Sequence, residues 1–125
     1  RAAFHDWLRI RASTPLLRLR TGEEVRRRLT LHATGTALDA RLFVGMLDGH
    51  DLEDGPARVL HAINTDTRAQ VFRVPGAAGQ AFVLHPVLAA RDAADARVRA
   101  QARFDRASGR ITVPARSAVV WVLPR

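Results

Sequence analysis

From Arg28 onward the chain is a succession of short apolar or alternating runs, each cut off by a Gly, Pro, Asp or Asn turn signal. Residues 28–33 set Arg28, Thr30 and His32 against Leu29, Leu31 and Ala33, and Thr34-Gly35 closes the run. Residues 41–47 are almost continuously apolar and end at Asp48-Gly49; residues 58–64 end at Asn64-Thr65-Asp66. Residues 70–74 alternate and stop at Pro75-Gly76, and residues 81–87 form a fifth run. Residues 99–105 and 110–113 flank Ala107-Ser108-Gly109, a hairpin signal, and residues 117–123 stop at Pro124. Strands this short and this closely spaced pair with near neighbours and then close into a sandwich or barrel. The expected fold is mainly β, an antiparallel β-sandwich of about 7–8 strands with an N-terminal α-helix.

The helix is read from residues 2–13. Phe4, Trp7, Leu8 and Arg11 fall at i, i+3, i+4 and i+7, and Ala3 and Ile10 widen the apolar surface. Pro15 ends it, because the residue before a proline avoids the helical region. An apolar stripe on a leading helix needs a partner. Two partners fit the pattern: the core of this chain, or a neighbour outside it. Thr21-Gly22-Glu23-Glu24 fits a capping box that opens a short helix through Val25 to Arg27. Residues 87–101 are Ala-rich, but their apolar spacing is poor and Asp92 and Asp95 interrupt it, so most of the segment reads as a loop. The one boundary suggested lies near residues 18–21, dividing a 1–20 segment from a 21–125 β module.

A chain of 125 residues with 47% hydrophobic content can bury a core of its own. It starts at Arg1 rather than Met, as expected of a processed chain or a piece of a longer one. The absence of cysteine excludes disulfides, thiolate metal sites and cysteine nucleophiles. No stretch reaches the roughly 18 apolar residues of a membrane span, so no membrane partner is expected. The formal charge of +8 invites a nucleic-acid reading. Yet Lys and Tyr are absent and Ala and Arg abound, which is the mark of a GC-rich gene. No arginine–aromatic interleaving forms a base-stacking platform, and no nucleic-acid partner is expected. The sequence assigns no compartment.

No catalytic constellation emerges. Ser13, Ser108 and Ser117 sit at a helix end, a turn and a strand start, and none lies in G-x-S-x-G. His5, His32, His50, His61 and His85 lack the short ligand spacings of zinc sites. Asp48, Asp51, Glu53 and Asp54 lack the EF-hand pattern and read as a solvated connection. Carboxyls on one short exposed loop also lack the burial that would raise an acid's pKa for glycoside hydrolysis. Gly76-Ala77-Ala78-Gly79 has neither the spacing nor the lysine of a phosphate loop. No metal and no cofactor is therefore expected. Trp7 and Trp121 could stack on sugar rings, but strand alternation places Trp121 with Val119 and Leu123 toward a core, and Trp7 lies on the apolar helix face.

Several motifs carry a family resemblance. Leu8 to Leu19 resembles the "LRxSTPLFRL" segment of bacterial pullulanase-type α-1,6-glucosidases, and Thr21 to Val25 their T-x-E-E-V. Leu31-His32-Ala33-Thr34-Gly35 is similar to "FHNTG", with Ala33 in place of the Asn. Leu42 to Asp48 stands where "LIVMxIDD" is usual, and Val59 to Asn64 is similar to "VVVFNA". Phe82 to Val87 matches "FxLHPV", and Ser108 to Arg125 resembles "TGxFTVPARTVAVFVxPR". The connection from Asp48 to Arg58 is shorter than the usual one.

The resemblance implies the C-terminal domain of a glycoside hydrolase family 13 debranching enzyme. There a (β/α)8 barrel carries the catalytic acids and this domain follows it. Residues 1–20 would then hold the barrel's last helix and a linker, and residues 21–125 the sandwich. None of the family's catalytic motifs is present, so this chain is expected to carry no catalysis, while its parent would be an α-1,6-glucosidase. Phe4, Trp7 and Leu8 become the candidate interdomain packing residues, with the barrel of the same parent chain as partner. An alternative is an accessory α-glucan-binding module. It needs exposed aromatics, and two Trp, five Phe and no Tyr argue against it. A third reading, an interaction module for an acidic partner, rests on charge alone.

Overall fold

The computed structural model describes residues 2–32 and 41–125. Ala33, Thr34 and Gly35, which close the first expected strand and carry part of the resemblance, lie outside the described residues. In chain order come α1 (Ala2–Ala12), a 3-10 turn (Pro15–Leu17), α2 (Gly22–Arg28), β1 (Leu29–His32), β2 (Leu42–Asp48), β3 (Arg58–Asn64), β4 (Gln70–Arg73) and β5 (Val83–Leu84). Then follow α3 (Pro86–Ala89), α4 (Ala96–Gln101), β6 (Arg103–Asp105), β7 (Arg110–Val113) and β8 (Ser117–Leu123). Five strands form one sheet in the order β1-β2-β3-β8-β5, and three form a second in the order β4-β7-β6. Every pairing is antiparallel. The sandwich expected from the sequence is the observed architecture.

Strand alternation sorts the residues into faces. The inner face of the large sheet carries Val44, Met46, Leu60, Ala62, Val119 and Trp121, all buried. The small sheet meets it with Ile111 and Val113, both fully buried. Asn64 ties the layers together: its amide donates to the carbonyls of Val113 and Pro114, both at 3.1 Å. Phe82 and Phe104 meet edge-on at 5.2 Å, a geometry that aligns ring edge and ring face.

A third layer covers part of the outer face of the large sheet. Ile10 of α1 and Leu16 of the 3-10 turn are 2% and 1% exposed and belong to the same core as the strands. Leu16 occupies the space that a side chain at Gly49 would need, 2.7 Å from its Cβ position, so that turn stays glycine. Asp6, also buried, accepts the Ala94 backbone N–H at 2.9 Å and fastens α1 to the 90–95 loop.

The caps explain the helices. The Thr21 hydroxyl accepts from Glu24 N at 3.1 Å, as the capping signal predicts. The 87–101 segment departs from its loop reading, since it holds most of α3 and all of α4. Its starts are set by polar caps that an apolar-spacing test overlooks. His85 Nδ1 accepts from Val87 N at 3.1 Å, and the Asp95 carboxylate accepts from Arg97 N at 3.0 Å. Once α4 is capped it takes Arg99 to Gln101, so the strand expected from Arg99 begins only at Arg103. The strand expected over 81–87 shrinks to two residues, because Pro86 opens α3.

Candidate functional site

Ser13, His85, Asp48 and Asp51, four of the groups that could do chemistry, are engaged in structural bonds. Ser13 Oγ lies 3.0 Å from His85 Nε2, the spacing of a nucleophile and its base. The hydrogen-bond chain reverses that reading. His85 Nδ1 accepts the Val87 N–H, so the ring's proton sits on Nε2 and is donated to Ser13 Oγ, which donates in turn to the Ile10 carbonyl at 2.5 Å. The histidine cannot take a proton from a hydroxyl toward which its own N–H points. Burial pushes the His85 pKa below its ordinary value and keeps the ring neutral.

The remaining candidates are dispersed. His61 lies on the outer face of β3 opposite Gly45, and His32 is on β1 opposite Val44, which faces the core. Among the described residues no three His, Asp or Glu groups are placed to hold a metal ion. In the acidic loop, Asp51 takes a two-pronged hydrogen bond from Arg28 at 2.6 and 3.3 Å, which holds its pKa below the ordinary carboxylate value. Asp48 accepts from the His50 ring at 3.0 Å. The Arg125 guanidinium fastens the same loop through the carbonyls of Gly49, His50 and Gly55. Trp121 is 2% exposed and closed to sugars.

What the molecule does present is an apolar face. On α1, Phe4 is 62% and Leu8 47% exposed, while Trp7 is half-buried against the core. The stripe turned to the sandwich runs instead through Asp6 and Ile10. Beside the helix, Trp7, Ile10, Leu17, His61, Ile63 and Val120 line an open groove of about 450 Å³. The outer sheet face continues past the helical cover with Leu31, Phe43 and Ile63, which are 72%, 57% and 47% exposed. Phe43 and Ile63 are direct cross-strand partners, and Leu31 pairs with Gly45 two residues along the same face. A Cβ on Gly45 would overlap the His61 ring, so glycine at this position lets the imidazole lie flat on β2. Burial also pushes the His61 pKa down.

Leu31, Phe43 and Ile63 escape a sequence reading that assigns functional packing to the helix alone. Their signal is nevertheless present. An antiparallel strand with one wet face alternates apolar and polar residues, and residues 42–47 do not. Such a strand has a second face to cover.

Fold and face together define a β-sandwich module with a helical cover layer and an exposed apolar face. Comparisons with known proteins agree. The family model described as alpha-1,6-glucosidases, pullulanase-type, C-terminal matches residues 1–124, and the chain belongs to this family. It is 33% identical over 130 residues to Pullulanase 1, chloroplastic, of Arabidopsis thaliana, covering 98% of this chain and 13% of that protein. Its fold is similar to the crystal structure of PulA from Klebsiella oxytoca, with a TM-score of 0.78, 25% identity and coverage of 99% of this chain and 12% of that one. A pullulanase variant from Paenibacillus barengoltzii complexed with maltotriose shares the fold at TM-score 0.67 and 18% identity, over 94% of this chain and 16% of that one. The chain thus spans about one eighth of the length of the curated relative it matches.

Proposed function

We propose that this chain is the non-catalytic C-terminal domain of a pullulanase-type α-1,6-glucosidase, packed against the catalytic barrel of the same parent protein and stabilising it. The observation that carries the reading is the apolar face of Leu31, Phe43 and Ile63, continued by the groove beside Trp7. Covering the exposed half of a Leu, Ile or Phe is worth roughly 1 kcal/mol, and several such side chains lie together. Monomeric surfaces rarely leave large contiguous apolar patches uncovered.

In this proposal residues 1–20 hold the barrel's last helix and a linker, and residues 21–125 the sandwich. Helix α1 is then a shared layer. Asp6 and Ile10 face the sandwich, while Phe4 and Leu8 are turned outward for the barrel, with Trp7 at the seam. The parent is a debranching glycoside hydrolase in this reading. Family membership and the coverage of a small part of the pullulanases support it.

The test places Phe43→Thr and Ile63→Thr together in the full-length parent, since a Thr–Thr cross-strand pair keeps strand propensity while removing the apolar surface. The domain is expected to unfold in a separate, earlier calorimetric transition, whereas the same pair in the 125-residue chain leaves its midpoint nearly unchanged. One unaltered transition in the parent would refute the docking role. The alternative, α-glucan binding, is read by titrating the chain with maltooligosaccharides: packing predicts no heat above dilution, and saturable heat would favour the glycan reading.

A further inference from the structure

Arg11 and Leu17 line two concavities at once. One is the apolar groove; the other, about 730 Å³, is bounded by Arg11, Pro15, Leu17, Arg18, Leu19 and Arg20. All three arginines are exposed. Among the described residues none of their guanidinium groups has an ion-pair or hydrogen-bond partner. Where a carboxylate lies within reach the chain pairs its arginines, as Arg28 with Asp51, Arg41 with Asp66 and Arg97 with Asp95. No Asp or Glu lines either concavity.

Three unneutralised guanidinium groups therefore border one hollow, and that hollow is continuous with the face that docks. A body that seals the groove also removes water from Arg11. Burying an unpaired charge costs far more than burying one that is hydrogen-bonded to a carboxylate, and the planar guanidinium fork suits two carboxylate oxygens. We propose that the Arg11–Arg18–Arg20 cradle receives carboxylates from the barrel, so that the surface this domain docks on is an apolar patch rimmed by Asp or Glu side chains. This inference rests on the docking reading and adds to it the chemistry of the partner. The apolar centre supplies adhesion, and the charged rim sets orientation and register.

The experiment follows proteolytic release of the domain from the full-length parent at about 20 mM and about 1 M NaCl, conditions that leave or remove long-range charge interactions. Three proteins are compared: wild type, Arg11→Gln/Arg18→Gln/Arg20→Gln, and Phe43→Thr/Ile63→Thr. The triple arginine variant is expected to release the domain about tenfold faster than wild type at low salt, with the gap closing to about twofold or less at high salt. Equal rates at low salt, or a gap that salt leaves unchanged, would overturn the proposal. If the apolar variant speeds release and the arginine variant does not, the acidic rim fails and docking stands. If neither speeds release, docking itself fails. Inorganic phosphate added at constant ionic strength supplies a further arm. Arginine-dependent thermal stabilisation of the parent by phosphate would mark a small-anion site and overturn the carboxylate assignment. The arginine variant of the 125-residue chain, unfolded in urea, is expected to match wild type, which shows that the substitutions leave the fold alone.

Discussion

At the scale of single residues, the histidines show how buried titratable groups couple the fold to pH. His32, His61 and His85 are each held below the ordinary value of 6.5 by burial. As pH falls below that value the unfolded chain takes up protons that the folded chain resists. Stability is therefore full above about pH 6.5 and is lost as the pH falls toward the depressed folded values. His85 has a specific reason to stay neutral, because a proton on Nδ1 would expel the Val87 N–H that caps α3. His85→Asn keeps an acceptor at the Nδ1 position for the cap, carries no titratable proton and gives up only the bond to Ser13. Urea midpoints between about pH 7.5 and pH 5 are expected to fall less steeply for this variant than for wild type. Parallel slopes would show that His85 protonation plays no part.

At the scale of elements, α1 is a helix with two unequal jobs. Ile10 is sealed under the cover layer, so Ile10→Ala is expected to cost about 2–5 kcal/mol in urea unfolding of the 125-residue chain. Phe4→Ser and Leu8→Ser remove exposed apolar area and are expected to stay within about 0.5 kcal/mol. Equal losses at the three positions would mean that the helix packs differently from the arrangement described. The contrast also marks where sequence reading stops. The spacing of Phe4, Trp7, Leu8 and Arg11 fixes a helix and an apolar stripe, but the sandwich took the adjacent stripe through Asp6 and Ile10. Asp6 carries no apolar signal, and its role depends on the Ala94 N–H far away in sequence. The strands over 58–64, 110–113 and 117–123 were legible because alternation and turn signals are local. Helices α3 and α4 were not, because each runs for only a turn or so and takes its start from a side-chain cap rather than from a periodic apolar face. Of the proposed docking face, the helical half was visible in the sequence. The sheet half, Leu31, Phe43 and Ile63, needed the strand register to bring three distant positions onto one surface.

At the scale of the whole molecule, one sandwich carries two apolar interiors. The first lies between its sheets and is closed by Trp121 and Ile111. The second lies on the outer face of the large sheet and is only partly closed, by Ile10 and Leu16. The proposed completion is the catalytic barrel of the parent, which would make the domain's stability and the barrel's interdependent. Hydroxyl-radical footprinting of the 125-residue chain and of the full-length parent reads that completion side chain by side chain. Phe4, Leu8, Leu31, Phe43 and Ile63 are expected to be labelled in the isolated chain and protected in the parent. Val71, 60% exposed on the far side of the small sheet, is the internal control and is expected to be labelled in both. Equal labelling of the first five side chains in the two proteins would contradict the assignment of this face to interdomain packing.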